Sequence, residues 1–275
     1  MPPARPPAPP PPLAPARPLA IVRGLPESFS AALGQRRDAP PIDLPRARRQ
    51  HADYCAALEA LGFGLLALPA EEALPDCCFV EDTAVVVGAT ALLARPGAPS
   101  RRAEVDAIAE ALAPYCAQRR VPPGACLDGG DALLVGDTLF IGRSLRSDAG
   151  GLAAARAAFE PLGCAVVSVE VAAGVLHLKC HASSPLPDLV LAAEGEAATL
   201  PWPPGVTVVP VPRREAYAAN AIGRGARVVV AAGYPETAAR LRAEGLDVIL
   251  LDTSEFALAD GSLTCLSVLL DGGVA

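Results

Sequence analysis

Short apolar runs broken by tight turns recur along the chain. TAVVVGATALLA (83–94), DALLVGDTLFIG (131–142), SSPLPDLVLAA (183–193) and AIGRGARVVVAA (221–232) each read as strand, turn, strand. Gly, Asp or Pro-Asp turns between β-rich runs are hairpin signals. A helical pattern follows most of them. In SRRAEVDAIAEALAPYC (100–116), Val105, Ile108, Ala109 and Leu112 fall at i, i+3, i+4, i+7, with Ser100 as candidate N-cap. ARRQHADYCAALEALG (47–62), GLAAARAAFEPLGC (151–164) and ETAARLRAEG (236–245) are rich in Ala, Leu and Arg and end at or near Gly. Strands follow at FGLLALP (63–69), CAVVSVEV (164–171), VTVVPV (206–211) and DVILLD (247–252). A ββαβ unit with one apolar face is stable only against neighbours. Its recurrence about every fifty residues predicts a closed ring of about five modules. An ordinary two-domain α/β protein with the same hairpin rhythm remains the alternative.

Composition narrows the classes. With 275 residues, 52% apolar and 19% charged, the chain can bury a substantial core. The net charge of −7 argues against nucleic acid or an anionic membrane as partner and suits a cationic small molecule. No apolar run is long enough to span a membrane. Residues 1–17, MPPARPPAPPPPLAPAR, form a Pro-rich tail that offers nothing to bury and lacks the apolar segment of a secretory signal. Residues 18–275 are expected to form one domain. Eight cysteines without a CxxC pair suit reduced thiols in the cytoplasm.

Several polar residues interrupt apolar runs. Glu81 and Asp82 stand side by side in LPDCCFVEDTAVVV, with Asp76 just before them. Read as a strand, this segment sends one acid toward the core unless the strand ends there or a cation meets it. Two solvated acids at a strand end are the plainer reading; a guanidinium receptor is the sharper one. Arg101 and Arg102 open a helix, where cations oppose the dipole; Arg102 reads as a surface charge, and Arg101 could reach a carboxylate ligand. Asp128 and Asp131 flank Gly129-Gly130, a turn or a site of close backbone approach. Ser144 and Arg146 lie between a strand and a helix start, where anions bind readily. His177 shares a strand face with Val175 and Lys179 in GVLHLKCHASS. With Cys180 and His181 it makes only a weak zinc set. Cys265 lies in the strand-like run DGSLTCLSVLL. A Cys nucleophile with a distant His is a workable pair, because only spatial adjacency matters.

LPDCCFVEDTAVV, ARPGAPSRRAEVD, LDGGDALLVGDTLFIGRSLR, LHLK and DGSLTCLSV occur in that order, after AIVRGLPESF at 20–29. Together they resemble the dimethylarginine dimethylaminohydrolase family over about residues 19–270. The resemblance implies the pentein fold, a five-bladed α/β propeller, and hydrolysis of dimethylarginine and monomethylarginine to citrulline and an amine. It implies Cys265 as nucleophile, His177 as general acid/base and Asp128 as its holder. Glu81 and Asp82 would bind the guanidinium, Asp76 the α-amino end, and Arg101 and Arg146 the α-carboxylate, with Leu25 on a lid loop. It implies no metal or organic cofactor; zinc on Cys265 and His177 would block both. The chain would act as a monomer or homodimer. Residues 194–205 are short for the helix of their module, so that blade is expected to be trimmed. A deiminase acting on arginine or another guanidine, and a non-catalytic ligand-binding relative, are the competing readings.

Overall fold

The computed structural model describes residues 15–34, 40–195 and 197–271. Of the expected Pro-rich tail, residues 1–14 lie outside the described residues, as do 272–275 at the other end. β1 (Leu19–Arg23), α1 (Leu44–Ala60) and β2 (Gly64–Leu68) open the chain. The hairpin β3 (Ala84–Val87) and β4 (Thr90–Leu93) leads to α2 (Glu104–Leu112) and β5 (Ala117–Arg120). The next module repeats this order with β6 (Ala132–Val135), β7 (Thr138–Arg143), α3 (Ala149–Phe159) and β8 (Ala165–Glu170). β9 (Ala182–Leu186), β10 (Leu189–Ala193) and β11 (Thr207–Val211) form the fourth module. The fifth has β12 (Ala221–Arg224), β13 (Arg227–Ala231), α4 (Pro235–Ala243) and β14 (Asp247–Leu251). α5 (Ser254–Leu258) and β15 (Val268–Leu270) complete the chain.

The strands make five three-stranded sheets, each an antiparallel pair joined by a parallel third strand. Four of the pairs are the hairpins read from the sequence. The remaining sheet is closed from both ends of the chain, with β15 antiparallel to β1 (Leu19 opposite Leu270) and β2 parallel to it. One edge strand per sheet faces a common axis. Val85, Leu133, Ser184, Ile222 and Leu269, one from each sheet, line a central cavity of about 540 Å³. This is the five-bladed ring expected from the repeat.

Local chemistry sets the element ends. Asp43 accepts the amide of Arg46 and starts α1 ahead of the expected Ala47; Asp148 does the same for α3 through Gly151. Ser100 is not the cap of α2. It lies in a 3₁₀ turn, Pro99–Arg101, that turns Arg101 inward before the helix begins. The fourth blade carries a 3₁₀ turn, Ala197–Thr199, where the other blades carry an α-helix, in line with its short sequence. Strand β5 carries no hydrophobic signal, because its residues, AQRR, are all exposed. An edge strand paired on one side needs no apolar face. Under the axis, Phe29, Phe79 and Phe256 pack with ring centroids 5.7–6.3 Å apart. Each contributes about 2–3 kcal/mol through burial. No helix among the described residues is long and apolar enough to cross a membrane.

Candidate active site

Each axial strand is entered through a 3₁₀ turn: Val80–Thr83, Gly129–Asp131, Leu178–Cys180, Arg213–Ala219 and Thr264–Leu266. The repeat therefore brings five turns together at one end of the axis. The strand placements of Glu81, Asp82, His177 and Cys265 are corrected accordingly. Asp128 and His177 are the residues that enter their turns, both in extended conformation. Glu81, Asp82 and Cys265 lie within theirs. Successive side chains in such a turn diverge by about 120°, so two adjacent acids are directed into different spaces without stranding one in the core.

Asp82, Asp76, His177, Arg146 and Cys265 line one small cleft. His177 Nε2 lies 3.0 Å from Asp128 Oδ2, and its Nδ1 lies 3.9 Å from Asp82 Oδ1. Burial pulls the imidazole pKa down, but the Asp82 charge, the Asp128 hydrogen bond and Asp131 outweigh it and raise the value to about 9. The ring is therefore an imidazolium at neutral pH. Asp128 is fully buried and accepts the amide of Gly97 at 2.7 Å on its other oxygen. Burial opposes the charge of Asp82, but His177, Arg101 and the amide of Gly130 hold its carboxyl down at about 2.

Cys265 is in contrasting surroundings. Burial, then the charges of Glu81 and Asp82, push its thiol well above the ordinary range. Cys180, pushed up to about 12 chiefly by burial, is likewise a thiol at neutral pH. All eight cysteines are unpaired.

Glu81 does not face the cleft beside Asp82. One oxygen takes Lys179 Nζ at 2.7 Å, the other the Thr264 hydroxyl at 2.7 Å, and the residue lines the central cavity. The expected carboxylate pair thus becomes one acid in the cleft, Asp82, and one behind it. Asn220 fastens the same wall. Its Nδ2 donates to Lys179 O (3.0 Å) and Thr264 Oγ1 (2.9 Å), and its Oδ1 accepts the Thr264 amide at 2.9 Å. Sequence reasoning missed Lys179 and Asn220, whose partners are distant in the chain.

The outer residues also sort differently from the expectation. Arg101, a cleft-lining residue, is buried and directs its nitrogens to Asp82 (2.5 Å), Glu104 (2.8 Å) and the carbonyl of Phe79 (2.9 Å). Its first role here is to hold Asp82. Arg146 touches Asp128 at 3.5 Å and is the more exposed cation, at 19% against 5%. Asp76 accepts the amide of Leu33 at 3.0 Å. Leu25 does not lie over the cleft: it is buried in the cluster with Phe29 and Tyr54, because β1 has only just ended there and its flank still packs on the core. Leu33, past the 3₁₀ turn Glu27–Ala31, lines the cleft instead.

Among the described residues, Asp82, Asp128 and His177 have ligand atoms close enough to share a metal ion. They already bind one another, and Arg101 and Arg146 supply positive charge beside them, so the set fits an organic cation held by Asp82 better than a metal.

The Gly129-Gly130 pair is required by close approach. A Cβ on Gly129 would lie 1.9 Å from the Glu81 carbonyl; on Gly130 it would lie 2.6 Å from His177 Nδ1 and 2.9 Å from Asp82 Oδ1. Gly130→Ala is expected to lower turnover on the order of 100-fold by displacing the imidazole, with a small change in melting temperature. A loss of turnover that merely tracks unfolding would contradict this. Gly261 has a similar constraint, since its Cβ would meet the Phe79 ring at 2.2 Å just before the turn that carries Cys265.

No family model matches the chain. A curated relative, the N(G),N(G)-dimethylarginine dimethylaminohydrolase of Streptomyces coelicolor, is 39% identical over 254 residues, 91% of this chain and 96% of the relative. A solved dimethylarginine dimethylaminohydrolase of Pseudomonas aeruginosa, a cysteine-to-serine mutant complexed with citrulline, aligns with TM-score 0.86 at 32% identity. The alignment covers 91% of this chain and 98% of that one. A histidine-to-glycine dimethylarginine dimethylaminohydrolase in adduct with S-methyl-L-thiocitrulline aligns with the same score, identity and coverage.

Proposed function

Because the chain belongs to the dimethylarginine dimethylaminohydrolase family, we propose that its cleft converts Nω,Nω-dimethyl-L-arginine, and the monomethyl form, to L-citrulline and dimethylamine or methylamine. The reaction is hydrolysis of an amidine C–N bond. The observation that carries this reading is the meeting of Cys265, His177, Asp82, Asp76 and Arg146 in one cleft.

The geometry supports a distinct role for each group. Asp82 accepts guanidinium N–H groups and fixes the plane of the cation. Arg146 takes the α-carboxylate, with Arg101 behind it, and Asp76 takes the α-amino end. The incoming cation offsets the Glu81 and Asp82 charges that keep Cys265 protonated, so the thiol loses its proton to solvent on binding. The thiolate adds to the guanidinium carbon. The imidazolium of His177 protonates the departing amine and is left neutral. The neutral ring then takes a proton from water as its oxygen adds to the thiouronium carbon. Collapse breaks the C–S bond, the hydroxyl proton of the adduct passes to solvent, and citrulline and the thiolate are released. Asp128 keeps the ring oriented throughout. No step calls for a metal or organic cofactor.

A free thiol is required, which suits a reducing compartment such as the cytoplasm. The acidic charge suits a small cation rather than nucleic acid, and the site residues come from a single chain, so a monomer or a homodimer would serve. Incubation with dimethylarginine should yield citrulline and dimethylamine in equal amounts, faster than arginine yields ammonia. Faster ammonia release from arginine would make the protein a deiminase. Binding without citrulline would make it a ligand-binding relative.

A further inference from the structure

Asp131 touches no reacting atom in the steps above, yet it is fully buried and placed among the site residues. Its Oδ2 accepts the hydroxyls of Ser144 and Ser147, each at 2.6 Å. Each hydroxyl is in turn an acceptor. Ser144 Oγ takes the backbone amide of Arg146 at 2.9 Å, and Ser147 Oγ takes the backbone amide of Asp128 at 3.1 Å. The other carboxylate oxygen takes the amide of Leu178, next to His177, at 3.0 Å. One buried acid therefore reaches three site residues: Arg146 through the Ser144 hydroxyl, Asp128 through the Ser147 hydroxyl, and His177 through the adjacent Leu178 peptide.

We propose that Asp131 is the positioning residue that sets Arg146, Asp128 and His177 relative to one another. This rests on the functional reading given above. Two blades and a loop meet at this carboxylate. Asp131 ends the turn before β6, Ser144 and Ser147 belong to the loop between β7 and α3, and Leu178 opens the turn before β9. The Asp128 carboxylate links the two side chains, at 3.5 Å from Arg146 and 3.0 Å from His177, whereas Asp131 joins the backbone of the Arg146 loop to that of the His177 turn; the acceptor must be anionic to take three donors without offering one. A neutral amide in its place would turn an N–H toward hydroxyls that now donate.

Charge is the second part of the role. The acids acting on the buried imidazole are Asp82, Asp128 and Asp131, and Arg146 faces it from behind Asp128. Removing the Asp131 charge leaves one fewer anion to hold the proton on His177.

The test separates the two branches. Asp131→Asn is expected to lower the His177 pKa, read by NMR titration of the ligand-free protein, and with it the alkaline limb of kcat. Ser144→Ala should raise KM for dimethylarginine about three- to tenfold with kcat little changed, the size expected for one lost hydrogen bond; Ser144→Thr, which keeps the hydroxyl, should restore it. Ser147→Ala should lower kcat and disturb the His177 titration while leaving KM near wild type. The proposal is overturned if Asp131→Asn leaves the His177 titration unchanged, or if the two serine variants change KM and kcat alike. Should Asp131→Asn fail to fold, the serine variants decide. The titration needs no substrate, so it still judges Asp131 if the wild-type protein makes no citrulline, an outcome that sinks the functional reading instead.

Discussion

Cys265→Ser is expected to reduce citrulline formation from dimethylarginine by about four to six orders of magnitude, the scale seen when a covalent nucleophile is removed. Binding should survive. On the proposed reading, Asp82, Asp76 and Arg146 grip the ligand, and the exchanged sulfur does not. Serine is a poor substitute for a physical reason. The site makes ionisation of the wild-type thiol hard in the empty state, through burial and the Glu81 and Asp82 charges. An alcohol starts far higher in pKa, and the substrate cation cannot make up that difference. Calorimetry should give a dissociation constant for dimethylarginine within a few-fold of the wild-type KM. Retained turnover in the serine variant would remove Cys265 from the reaction.

His177→Asn should show the next largest loss, about 100- to 10,000-fold in kcat. The asparagine keeps a donor toward Asp128 but can neither deliver a proton to the amine nor take one from water. Both halves of the reaction depend on it, so rapid quench and mass spectrometry should show that no amine burst precedes the slow step. The wild-type profile should fall at alkaline pH as the imidazolium, with its pKa near 9, loses its proton. Stability follows the same ionisation. The folded-state value of about 9 exceeds the model-peptide 6.5, so proton binding by His177 favours the fold. That contribution is complete below pH 6.5, shrinks as pH rises toward 9, and is gone above it, a span on the order of 3 kcal/mol. The wild-type advantage over His177→Asn in urea unfolding should therefore be larger at pH 6 than at pH 10. An advantage that grew with pH would mean the ring is held neutral.

Both predictions depend on which charges surround each group, and the chain reports those unevenly. His177 and Cys265 are 88 positions apart in numbering, a separation read from the sequence. Nothing local to either says that they share a cleft. The motifs around them carried that information only through their likeness to a family. Leu25 and Leu33 illustrate the limit: both are leucines on the same segment, and only the packing of Leu25 against Phe29 and Tyr54 assigns the cleft to Leu33. Glu81 illustrates it again, because its partner Lys179 lies 98 residues away.

The alternation of apolar runs and turns determined four of the five hairpin pairs by itself; the sheet that pairs β1 with β15 closes only in the tertiary structure. A hairpin and an amphipathic helix are local solutions, and their signals lie within a dozen residues. After β10, Pro201, Pro203 and Pro204 leave little chain able to continue a helix, in keeping with the 3₁₀ turn found there. Strand β5 escaped because a polar edge strand obeys no burial pattern. The direction of Asp82 into the cleft and Glu81 away from it, the commitment of Arg101 to Asp82 and Glu104, and the convergence on Asp131 were decided by tertiary structure alone. They are set where turns from different blades meet, and the energy of such long-range polar contacts is written into no single segment.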